Sequence, residues 1–176
     1  MGKLLVLING LPGSGKTTLG WGLAPALNAR LLSKDAVKEA LASCISDAEQ
    51  VPDLGGIAMD AVWALAQATP ATAVIDSWWF KPRDLLFAKT GIQTAGVDRL
   101  AEIWCDVPPA VARSRYQRRR RAAVHRDEQR LAHDWDLWAE QAAPLGLAPI
   151  LRIDTTRPVD CADLAKQVER VAGSPW

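Results

Sequence analysis

Apolar and polar residues fall into blocks of two lengths along this chain. Short apolar runs at 3–9 (KLLVLIN), 29–33 (ARLLS), 71–77 (ATAVIDS), 98–106 (DRLAEIWCD) and 148–154 (APILRID) read as strands. Longer mixed segments between them read as helices: 16–27, the stretch after Asp35, 57–68, Pro82 to about Thr94, a long arginine-bearing helix opened by Pro108-Pro109, and 159–172. Pro25 marks the last turn of the first helix, because proline removes a donor from a helix interior. Asp35 stands where an N-cap belongs, and Ser46–Gly56, with Pro52 and Gly55-Gly56, reads as a loop. Strands alternating with helices predict a parallel sheet covered on both faces, a three-layer α/β architecture. Neither a repeat nor a linker divides 1–176, so one domain is expected.

Composition narrows the setting. The 176 residues are 49% apolar and 23% charged, enough for a core without disulfides or metals. A net charge of +1 excludes strong overall attraction to nucleic acid or membranes and leaves only local patches. Cys44, Cys105 and Cys161 are odd in number and widely spaced, with neither a disulfide framework nor a zinc spacing. The N-terminal apolar run is too short to span a bilayer and lacks a signal-peptide cleavage site. A cytoplasmic protein is expected. Eight tryptophans accompany two phenylalanines and one tyrosine, an imbalance read mainly as core filling.

The first strand runs into Gly10-Leu11-Pro12-Gly13-Ser14-Gly15-Lys16-Thr17, which matches G-x-x-x-x-G-K-[ST] at each fixed position, and Thr18 follows. Glycines let successive backbone N–H groups converge on phosphate oxygens, and the following helix adds its positive dipole end. Lys16 suits the β- and γ-phosphates, and the Thr17 hydroxyl suits magnesium. The strand before and the helix after supply the context this motif needs.

Other residues extend the site. Asp76 ends the third strand, where an acid holds magnesium or its water shell, or simply caps the next turn. Trp78, Trp79 and Phe80 follow it, either as a stacking surface for a ring-bearing acceptor or as a plug beneath the next helix. After the fourth strand, about 113–135 carries arginines on every face, four of them consecutive at 118–121. Packed like charges repel unless an anion is present, and ATP supplies one. On a mobile lid they would neutralise a transferring phosphoryl group and exclude water; Arg115 would stack on adenine. The other reading is a solvated helix with ion pairs to Asp127 and Glu128. Trp135 and Trp138 read as packing, and His125 and His133 as lid or surface residues.

The segments GLPGSGKTTL, SKDAVKEAL, AVIDSWWF, CDVPPAVARSRYQRRR and RIDTTRPV occur in the order found in small P-loop kinases of the nucleoside-monophosphate-kinase type. The chain most resembles their zeta-toxin and chloramphenicol-phosphotransferase-like branch. That resemblance implies a five-stranded parallel sheet of order 2-3-1-4-5, an arginine-rich lid, and transfer of the ATP γ-phosphate to a hydroxyl. It makes Asp35 the acid that receives the acceptor's proton or holds its hydroxyl. Arg115 and Arg119 match the adenine-side and phosphate-side arginines of an R-x-x-x-R lid pattern. Thr155, Thr156 and Pro158 match the loop lining the adenine pocket. Lys38 departs from the pattern, since many relatives carry arginine three residues after the acid, and lysine lacks the bidentate fork.

The leading expectation is an ATP- and Mg2+-dependent kinase of a small hydroxylated molecule, a metabolite, natural product or antibiotic. Asp35 and Lys38 then face the acceptor together with Trp78 or Trp79, since successive residues after a strand diverge and one ring of the two lines the pocket. A polynucleotide or nucleoside kinase would use the arginine run on a phosphate backbone, with a steep salt dependence. A non-catalytic nucleotide switch is the third reading, though it needs neither an acid at 35 nor an arginine lid.

Overall fold

Each apolar run expected as a strand is one in the computed structural model, which describes residues 2–172. β1 (Leu4–Asn9) is buried along its whole length. Its alternate side chains serve opposite faces of the sheet, which is why no position is polar before its end. Leu4, Val6 and Ile8 pack with Leu19 and Leu23 of α1 (Lys16–Ala26) and with Leu164 and Val168 of α8 (Cys161–Val171). Leu5 and Leu7 pack on the other side with Val62 and Trp63 of α3 (Leu54–Ala68) and Ile92 of α4 (Lys81–Ala95). Burying each such side chain contributes about 1.5–3 kcal/mol relative to exposure.

β2 (Arg30–Ser33), β3 (Ala73–Asp76), β4 (Arg99–Asp106) and β5 (Ile150–Asp154) complete a parallel sheet of order β2-β3-β1-β4-β5. The expected order and the three layers are therefore observed. At Gly91 an added Cβ would lie 2.0 Å from Trp63 Cε2, so α3 and α4 meet closely only because that position is bare. Among the described residues, no helix is long and apolar enough to cross a membrane.

The structure corrects three local expectations. α2 (Lys34–Ser43) begins before Asp35, so Ser33 holds the cap position and Asp35 lies in the first turn. Its carboxylate serves an ion pair instead of the helix end. α3 starts at Leu54, earlier than expected, because Asp53 caps it by accepting from Gly56 N at 3.1 Å. The long arginine helix does not exist. α5 (Pro109–Arg118) stops inside the four-arginine run, and Arg119 is extended (φ −68°, ψ 133°). The chain resumes as a 3-10 turn at Ala123–His125, then α6 (Asp127–His133) and α7 (Trp135–Gln141). Leaving the helix separates like charges and lets Arg121 reach two carboxylates.

Candidate functional site

The phosphate loop joins β1 to α1 at the carboxyl edge of the sheet, where parallel α/β folds hold ligands. Gly13 (φ +83°) leaves no room for a side chain, since a Cβ would lie 2.2 Å from Ala112 O of α5. Gly15 caps α1 in the left-handed region (φ 90°), a conformation that favours glycine. Ser14 N donates to Leu11 O (3.0 Å), closing the loop on itself. Asn9 fixes its entry: its Oδ1 accepts from Gly10 N (2.8 Å) and Trp79 N (3.1 Å). Asn9 Nδ2 in turn donates to Glu102 Oε1 (3.2 Å), whose carboxylate also accepts from Leu145 N (2.8 Å) and Gly146 N (3.0 Å).

Lys16 lies within this loop, its Nζ donating to Gly10 O (2.7 Å) and Leu11 O (2.9 Å). Burial lowers its pKa to about 8, with Cys105, Asp35 and Asp76 pulling upward and Arg119 downward. Asp76 pairs in register with Ile8 of β1 and Ser33 of β2, which brings it beside the loop. It is 4% exposed, and its Oδ1 has no partner among the described residues. Burial pushes its pKa up, against the Thr17 and Ser33 hydroxyls and the Lys16 charge. An unsatisfied buried carboxylate is costly, so Asp76 with Thr17 fits a hydrated cation held beside phosphate oxygens. Among the described residues no group of three or more His, Cys, Asp or Glu could hold a metal alone, and a nucleotide-bound magnesium does not require one.

A cavity of about 740 Å³ opens on the loop. Lys16, Thr17, Thr18, Asp35, Lys38, Asp76, Trp78, Arg115, Arg119, Thr155, Thr156 and Pro158 all line it, as do Pro12, Gly13 and Gly15. Gly10, Leu11 and Ser14 support the loop from behind; Leu11 packs with Ala112 and Tyr116 of α5. The loop after β5 is tied in by Thr155 Oγ1 donating to Ser14 O (2.6 Å) and by Arg115 Nη1 donating to Thr155 O (3.1 Å). Arg115 is thus a strut of that wall.

The lid side is organised by a residue that the sequence did not single out. Arg121 ion-pairs with Asp35 and with Asp127 (2.6 Å), and its guanidinium lies 5.7 Å from the Tyr116 ring centroid. Tyr116 Oη donates to the same Asp127 (2.7 Å). Burial would raise the Asp35 pKa, yet Arg121, His125, Lys34 and Lys16 together bring it below the ordinary carboxylate value. His125 is also buried; its Nε2 donates to Glu39 Oε1 (2.7 Å), and burial with the Arg121 charge lowers its pKa. Lys38 Nζ donates to Val124 O (2.8 Å), a third link between α2 and the lid. Burial and neighbouring cations lower its pKa to about 8. Only the position of Arg121 in a charge run hinted at its role, and the run gave no means of choosing among its members.

The tryptophans divide. Trp78 lines the cavity, 6.0 Å between centroids from both Phe80 and Trp138, and its buried indole nitrogen has no partner among the described residues. Trp79 is the ring of the two that turns away from the cavity. It is 3% exposed and packs against Trp63 at 6.3 Å, because successive residues after β3 diverge. Trp135 and Trp138 are buried as expected, though Trp138 also reaches the cavity wall.

Similar architectures exist among solved structures. A candidate kinase from Chloroflexus aurantiacus is 23% identical, with 98% of this chain and 100% of that one covered and a TM-score of 0.74. A gluconokinase from Sinorhizobium meliloti is 17% identical over 95% and 92% of the two chains (TM-score 0.61). A shikimate kinase from Acinetobacter baumannii is 16% identical over 94% and 90% (TM-score 0.56). At these identities the likeness is one of fold. A search of curated proteins finds no match. Residues 5–145 match the family model described as AAA domain, a span that runs from β1 through the phosphate loop and lid, and the chain belongs to that P-loop family.

Proposed function

We propose that this chain is a phosphotransferase that moves the γ-phosphate of ATP to a hydroxyl of a small molecule. One observation carries the reading: Asp35 and the phosphate-loop Lys16 line a single cavity, beneath a lid whose Arg121 grips that same Asp35. A non-catalytic nucleotide switch has no need of a carboxylate on that wall together with an arginine-bearing lid, whereas transfer to a hydroxyl uses both. The fold shared with gluconate and shikimate kinases supports the same class.

In this reading Gly13, Gly15 and the start of α1 cradle the phosphates, and Lys16 neutralises the β- and γ-oxygens. Thr17 and Asp76 would hold a magnesium ion, which would offset charge on the phosphates. The acceptor oxygen bonds to the γ-phosphorus as the bond to the β-phosphate oxygen breaks, and ADP leaves. Asp35 orients the hydroxyl and receives its proton late in a loose transition state, which suits a carboxylate of low basicity. Arg119 stabilises the equatorial charge during transfer. Thr155, Thr156 and Pro158 border the base, while Trp78 and Lys38 border the acceptor. The polynucleotide reading has weaker support, because Arg121 is committed to two carboxylates and does not form a free basic strip.

The test is a phosphate-transfer screen across nucleosides, sugars and hydroxylated antibiotics, read by mass spectrometry, with Lys16→Ala as the inactive reference. Nucleotide hydrolysis with no acceptor product would overturn the reading.

A further inference from the structure

The acceptor half of the cavity carries more positive charge than its own carboxylates offset. Lys34, Lys38, Arg121 and Arg130 line that half, against Asp35 and Asp127. Arg83 lies there too but is held by Asp84 (2.6 Å). Arg121 answers both Asp35 and Asp127, and Lys38 is bound to a backbone carbonyl. Lys34 Nζ and the Arg130 guanidinium have no hydrogen bond or ion pair among the described residues. Both are half-buried. ATP does not absorb this surplus, because its phosphates are served by the loop, Lys16 and Arg119.

The two free cations line the same cavity, within reach of one another's charge. Burial lowers the Lys34 pKa most, and the charges of Arg130 and Arg83 lower it further, against Asp35 and Asp84. Paired cations half out of water are unfavourable unless an anion joins them. Lys34 directly precedes Asp35 on α2, so an anion held at Lys34 would set a hydroxyl of the same molecule at Asp35. Trp78, on the same wall, has a buried indole N–H without a partner, a further donor for an oxygen.

We propose that Lys34 and Arg130 form a recognition site for an anionic group, a carboxylate or a phosphate, on the acceptor molecule. This rests on the phosphotransferase reading and narrows it: the substrate is a hydroxy acid or a phosphorylated alcohol, not a neutral sugar or antibiotic. Lysine and arginine here act on binding, and the hydroxyl chemistry stays with Asp35.

The test is transfer from ATP to matched acceptors: hydroxycarboxylic acids with their amides, and sugar phosphates with the free sugars. Transfer should be confined to the charged members, and which set is used distinguishes carboxylate from phosphate. Lys34→Met and Arg130→Met should each raise the acceptor KM about tenfold or more, with kcat, the KM for ATP and the melting temperature little changed. Lys34→Arg should restore most of the loss. Equal transfer to neutral members, or an acceptor KM unmoved in both variants, would overturn the anion site alone. Transfer to no member at all would overturn the phosphotransferase reading and this site with it.

Discussion

Lys16 and Asp35 show what burial does to charge at single positions. With its pKa near 8, Lys16 loses its proton in the folded chain well below the ordinary lysine value. A bound polyphosphate restores that proton. ATP binding should therefore take up a proton above about pH 8, and affinity should fall as pH rises past it. Calorimetry at pH 8.5 in buffers of different ionisation enthalpy reads the uptake. Lys38 titrates near the same pH, so Lys38→Met should keep the uptake while Lys16→Ala abolishes both it and transfer. Between about 8 and the unfolded value the folded chain binds fewer protons, so Lys16 costs stability below pH 8 and that cost fades as pH climbs. Asp35 has the opposite sign. Its depressed pKa contributes stability above the unfolded carboxylate value, which is lost as pH falls through the folded one. Asp35→Asn should keep ATP binding and lower turnover about a hundredfold or more. Equal losses in melting temperature and turnover would make Asp35 structural.

At the scale of elements, the lid is where the pattern along the chain and the folded structure part. Strands and phosphate loop were legible because apolar period and glycine spacing act over neighbouring residues. The break at Arg118 was not, because it accompanies a pair between residues 86 positions apart, Asp35 and Arg121. The division between Trp78 and Trp79 was legible only as a rule that one of them turns inward. The break also decides a comparison of variants. Arg118 ends a helix, while Arg119 is extended and lines the cavity. Arg119→Ala should reduce turnover more than ATP affinity, and Arg118→Ala and Arg120→Ala should change neither, as steady-state kinetics will show. Trp79→Ala should destabilise by about 3–5 kcal/mol through the cavity left beside Trp63. Trp78→Ala should mainly weaken acceptor binding, by about 0.5–1.5 kcal/mol if the acceptor presents a ring. Chemical denaturation and acceptor titration separate the two.

Across the whole molecule, Glu102 is the point where the halves of the sheet are joined to the site. The sequence did not single out this acid between Ala101 and Ile103, because its partners at Asn9, Leu145 and Gly146 converge only in the fold. Glu102→Ala strands buried donors at about 1–3 kcal/mol each. It should lower the melting temperature strongly and weaken ATP binding through Asn9 and Gly10; unchanged ATP affinity in a folded variant would show that Asn9 holds the loop unaided. The two ends of the cavity rest on different parts of the chain. The nucleotide end is bonded to β1, α5 and the turn after β5, whereas the acceptor end stands on α2, the segment after β3, and α6 and α7. If the chain is the phosphotransferase proposed above, mutation on the α2 and α6 wall would rewrite what is phosphorylated with little effect on the phosphate donor, and a lineage carrying this scaffold would be free to change its diet one wall at a time.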